Sequence, residues 1–98
     1  MSIVKFVEVA RELNIAEAKD YKLREVYINP EHVVMLREDA HTLRLLQEKR
    51  LPPNLDERQS FTRLTMQRGS SGTEVVVVGP PDVVRDKLFK NEAQLLKG

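Results

Sequence analysis

Two histidines, His32 and His41, with Glu38 and Asp39 just before the second, are the nearest this chain comes to a set of metal ligands. Zinc sites draw three or four ligands from Cys, His and carboxylate, and there is no cysteine in the sequence. A turn residue and a residue at a helix start describe the two histidines better, so no metal or cofactor is expected. Ser70 and Ser71 with either histidine would mimic a hydrolase pair, but the G-x-S-x-G elbow that exposes such a serine is missing. Arg68-Gly69-Ser70-Ser71-Gly72-Thr73 has the glycines of a phosphate loop without its G-x-x-x-x-G-K-[ST] spacing, and a strand rather than a helix follows it. The carboxylate pairs Asp56 with Glu57 and Asp82 with Asp86 lie in polar sequence, where nothing would shift their pKa values toward acid–base work. No residue is assigned a catalytic role, and the chain is read as a non-enzyme.

Two stretches point to binding instead. Residues 1–43 carry 6 basic and 8 acidic groups, residues 44–68 carry 6 and 3, and residues 69–98 carry 4 and 4, so the middle alone is basic, at net +3. Its cations, Arg44, Lys49, Arg50, Arg58, Arg63 and Arg68, would gather phosphates if they converged on one face, and RNA contact through them is one expectation. Stacking platforms would strengthen it, yet Phe61 is the one aromatic residue in the stretch. The second stretch is Val75, Val76, Val77 and Val78, four β-branched residues in a row, so both faces of that strand want burial. If it lay at a sheet edge it would also pair with a neighbour, and self-association into a homo-oligomer is expected on that basis.

The elements that must position these groups follow from the pattern. Ile3–Val9 reads as a strand. Residues 10–22 fit a weak helix or a polar excursion. The runs at 24–29 and 33–37 are strands joined by Asn29-Pro30-Glu31-His32, a hairpin or sharp corner with Pro30 pre-set for its second turn position. Asp39 is suited to cap a helix over about residues 40–51, which Pro52-Pro53 would end, and the segment to Ser60 completes a helical insert between strands. Phe61–Gln67 alternates, with Thr62, Leu64 and Met66 on one face. It should form a hairpin with Glu74–Val78 through the glycine-serine turn. Val84, Leu88 and Leu95 then mark a C-terminal helix over about residues 81–96.

Composition bounds the answer. At 98 residues the chain suits a single domain spanning 1–98, and 41% hydrophobic against 32% charged residues takes it out of the disordered class. A net charge of +1 gives no whole-molecule attraction to nucleic acid or anionic lipid, so any charged partner must meet a local patch. The absence of cysteine suits a cytoplasmic home, and Lys5 and Glu8 interrupt the apolar N-terminal run, so neither a signal peptide nor a membrane span is expected.

The succession EVYINPEHVVML, FTRLTMQRGSSGTEVVVV and GPPDVVRDKL resembles the small flagellar proteins of the FlbD type, which implies a protein-binding regulatory or assembly factor of flagellar or phage-like kind. The strand layout also resembles the Sm/LSm family of small five-stranded barrels, with the insert at 39–60 in the place of that family's variable loop and Arg68-Gly69 matching its basic-Gly dipeptide. The expected fold is therefore mostly β: a small five-stranded SH3/Sm-like antiparallel barrel or bent sheet, with a helical insert and a C-terminal helix. The Sm/LSm resemblance implies an oligomeric binding module that contacts RNA through the basic insert.

Overall fold

The computed structural model describes residues 3–11 and 21–90. The β-branched N-terminal run forms β1 (Val4–Arg11), and the next such run forms β2 (Tyr21–Ile28). The two pair antiparallel along their whole length, from Val4 opposite Ile28 to Arg11 opposite Tyr21. The ends of the ambiguous 10–22 segment thus belong to strands, and residues 12–20 lie outside the described part.

Asn29 then turns the chain. Its side-chain oxygen accepts the Glu31 N–H at 3.0 Å, its carbonyl accepts the His32 N–H at 3.0 Å, and Pro30–His32 make one 3₁₀ turn into β3 (Val33–Glu38). This is the corner and not the hairpin, because β2 and β3 end up on opposite edges of the sheet. The insert begins with α1 (Ala40–Gln47), and β4 (Phe61–Arg68) and β5 (Ser71–Val78) form the expected hairpin. Its turn is tighter than the glycine-serine run suggested: Gly69 and Ser70 alone lie between the paired Arg68 and Ser71. Gly69 takes φ 63°, the left-handed conformation that two-residue hairpins ask of their first turn position.

The five strands make one antiparallel sheet in the order β2-β1-β5-β4-β3. That order is open, with β2 and β3 as its edges, so among the described residues hydrogen bonding does not close the sheet into a barrel. Both edges discourage a further strand: β2 carries Lys22, Arg24 and Glu25, and β3 is six residues long with a register shift between Val33 and Met35. β5 sits in the middle, paired with β4 over eight residues and with β1 at Glu8 opposite Val77. The valine strand is therefore not an edge available to a second copy.

Successive strand residues face opposite sides, and β5 uses both. Val75 and Val77 join Phe6, Ile28 and Leu64 beneath α2 (Pro81–Leu88), which contributes Val84 and Leu88. Val76 and Val78 pack on the other face against Phe61, Leu45 and Leu51, the last two supplied by the insert. Val75 and Val77 are buried, and Val76 and Val78 are partly buried, all against the chain's own elements. Gly79 makes the turn from β5 to α2 at φ 130°, where a Cβ would also stand 3.3 Å from Val84. Thr62, wholly buried, donates its hydroxyl to the Gly79 carbonyl at 2.8 Å.

α2 ends at Leu88, and the part of the expected C-terminal helix beyond Lys90 lies outside the described residues. Phe89 leaves helical geometry (φ −118°, ψ 29°) and packs against the first core, while Leu95 lies outside the described residues. Leu88→Ala should cost about 2–5 kcal/mol by opening a cavity under α2, and Lys90→Ala, exposed, less than about 0.5 kcal/mol. Urea denaturation of both variants checks the docking, and equal midpoints would refute it.

Candidate functional site

The insert, residues 39–60, is fixed to the sheet at both ends. At its start the Asp39 N–H donates to the Phe61 carbonyl at 2.9 Å, and at its end the Ser60 carbonyl accepts the Gly79 N–H at 2.8 Å. Asp39 precedes α1 as expected, but its side chain does not cap the helix. Its carboxylate instead accepts the Thr42 hydroxyl on one oxygen and Arg63 Nη2, at 3.0 Å, on the other. Asp39 is 5% exposed, and Arg63 reaches Glu74 with its other terminal nitrogen at 3.6 Å, while Arg63 Nε is buried without a hydrogen-bond partner. A single charged residue on a strand face shared with Phe61 is the signal that could have found this network, since a half-buried guanidinium demands a carboxylate.

α1 ends at Gln47, before the Pro-Pro pair is reached. The Lys49 N–H donates to the Leu46 carbonyl at 3.0 Å and the Arg50 N–H to the Leu45 carbonyl at 2.9 Å, the two bonds of a Schellman motif. That motif needs a left-handed residue after the helix, and Lys49 takes φ 59°. Among the described residues it is the one non-glycine residue with positive φ. The chain then runs back along the helix end through Pro52-Pro53 and a turn at Asp56. There the Asp56 carboxylate accepts the Arg58 N–H at 2.7 Å, and this bond, helped by the Arg58 side chain, holds the carboxyl below the usual range.

Between the helix end and the returning chain lies a groove of about 520 Å³. Leu46, Leu55, Pro52 and Pro53 wall it, Leu51 floors it, and Gln47, Lys49 and Glu57 stand at its rim. The volume falls within the few-hundred-Å³ range of small binding sites. Sequence reasoning passed over it by treating 52–60 as a connection, although Leu51, Leu55 and two prolines are too apolar for a solvated loop.

The basic residues do not make one phosphate-gathering face. Arg63 is committed to Asp39 and Glu74, Arg58 to Asp56 at 3.4 Å, and Arg50 lies 3.7 Å from Glu48. Arg68 closes the β4–β5 turn opposite Ser71, at the far end of β4 from the insert. Arg44 and Lys49 are exposed and have no ion pair among the described residues. Phe61, the sole candidate for base stacking, is 0% exposed. His32 and His41 are both exposed, and among the described residues no three His, Asp or Glu converge. No helix among the described residues is long and apolar enough to cross a membrane.

A second groove, of about 350 Å³, lies between β1 and α2, but its lysines are engaged. Lys5 pairs with Glu25 at 3.2 Å, which raises its pKa, and Lys87 donates to the Lys5 carbonyl and sits 4.9 Å from the centre of the Phe6 ring. Compared with known proteins, the chain matches no family model, no curated protein and no solved structure.

Asp39→Ala should cost about 2–4 kcal/mol, because Arg63 then keeps a half-buried charge with Glu74 alone. The double variant Asp39→Leu with Arg63→Leu should cost clearly less than the sum of the two singles, since it removes both charges together. Urea denaturation of the singles and the double measures this coupling, and strict additivity would refute it.

Proposed function

We propose that this chain is a non-enzymatic binding module whose working surface is the insert groove, and that it takes an apolar segment of a protein partner. This is the regulatory or assembly-factor class rather than the RNA-binding, ring-forming class. The observation that carries it is a pre-formed groove, walled by leucine and proline with polar and charged side chains at its rim, built from a connection far longer than its topology requires. Neighbouring antiparallel strands can be joined by about 2–5 residues, yet the connection from β3 to β4 runs over residues 39–60. Prolines in the wall keep the groove's shape before binding, which lowers the entropic cost of taking a ligand. The RNA reading is weaker because four of its six cations are paired or lie at the other end of β4, and its one aromatic is buried. Self-association through residues 75–78 is weaker because those valines are already packed.

Two titrations of the isotope-labelled chain test this. A blocked neutral peptide, acetyl-Leu-Leu-Gln-Leu-amide, should perturb backbone signals within residues 46–57 and nowhere else on the sheet. Single-stranded RNA at low salt should leave the spectrum unchanged. RNA binding that weakens steeply with salt, at a log–log slope of about −2 or steeper, would replace this proposal with the RNA reading. A peptide response away from residues 46–57 would refute the groove.

A further inference from the structure

The geometry points to Lys49 as an anchor for a carboxylate on the partner segment, so that the groove selects apolar sequences carrying an acidic residue. This rests on the reading of the groove as the binding surface. Two independent observations converge on the residue. The first is conformational: Lys49 occupies the position of the Schellman motif where glycine is usual, and holds φ 59° there. A side chain in that conformation is strained, and glycine would make the same two hydrogen bonds without the strain. Strain of this kind collects at binding sites. The second is electrostatic: the Lys49 side chain stands at the rim of the groove, exposed, with no ion pair among the described residues.

The surrounding charges favour an acid over a base at that point. Arg50 is balanced by Glu48, which leaves Arg44 and Lys49 against the single carboxylate of Glu57 among the unpaired charges around the groove, a balance of two cations to one anion. Glu57, also on the rim, offers an acceptor to the peptide backbone or to a donor elsewhere on the segment. The occupant defined by this arrangement is a protein segment with leucine-type side chains for the walls and a carboxylate within reach of Lys49.

The test compares acetyl-Leu-Leu-Glu-Leu-amide with its Gln counterpart on the full chain and two variants. The native protein should bind the Glu peptide about threefold tighter, as a partly exposed ion pair allows, and lose that preference at high salt. Lys49→Gly should abolish the preference while raising the melting temperature by about 2–6 °C, as strain is released. Lys49→Met should abolish the preference without that rise, since it keeps the strained backbone and removes only the charge. Equal binding of the two peptides by the native protein, or an undiminished preference in Lys49→Gly, would overturn the anchor while leaving the groove in place. A melting temperature lowered by Lys49→Gly would overturn the strain argument and the anchor with it. No response within residues 46–57 to either peptide would overturn both the groove and the anchor.

Discussion

A strand with four consecutive valines has no face to give to water. In β5 this requirement is met by placing the strand in the middle of the sheet and covering it twice. α2 closes over Val75 and Val77, and the insert closes over Val76 and Val78. Each side chain buried this way is worth roughly 1.5–3 kcal/mol relative to exposure, so leaving either face bare would forfeit much of the stability a domain of this size has. The insert is therefore half of the core and cannot be regarded as an appendage. Its position on the sheet follows from the valines, and so does the position of the groove it carries.

Hydrophobic cover has no directional preference, and polar contacts supply the register. The Asp39 backbone joins the ladder end at Phe61, its carboxylate gathers Thr42 and Arg63, and the Gly79 N–H ties the return of the insert at Ser60. Thr62 adds a buried hydrogen bond to the Gly79 carbonyl. The entry to the insert, its exit and the turn into α2 thus meet near the junction of β4 and β5. Arg63 reaches across that junction to Asp39, just ahead of α1. A charge there favours one placement of the insert, because any other would leave the guanidinium half-buried without its carboxylate.

Much of this was legible in the residues. Period-two alternation from Phe61 onward and the apolar run of β5 are strong local signals, and each marks an element that exists. The corner at Asn29 was legible for the same reason, because asparagine bonds its own backbone two residues on and proline fixes the next φ. What escaped were features made by distant residues. Asp39 read as a helix cap because local sequence contains no sign that Arg63, on a strand beyond the insert, would claim its carboxylate. The prolines mark where a helix can no longer continue, and nothing nearby announces that Lys49 will take a left-handed conformation and end α1 earlier. The groove was missed because leucines in a connection become a surface only once the helix end they face is in place.

The insert both covers the sheet and lines a groove, with residues divided between the two along one short segment. Leu45 turns to the sheet and is buried beside Phe61, whereas Leu46 and Leu55 keep part of their surface in the groove. Leu51 serves both, as a member of the second core at 8% exposure and as the floor of the groove. A floor supported by the core is rigid, because protein interiors are close-packed and resist compression. The same sharing means that truncating Leu51 would disturb fold and groove at once. Leu46 and Leu55 share this double position in part, since both pack against the second core while lining the groove.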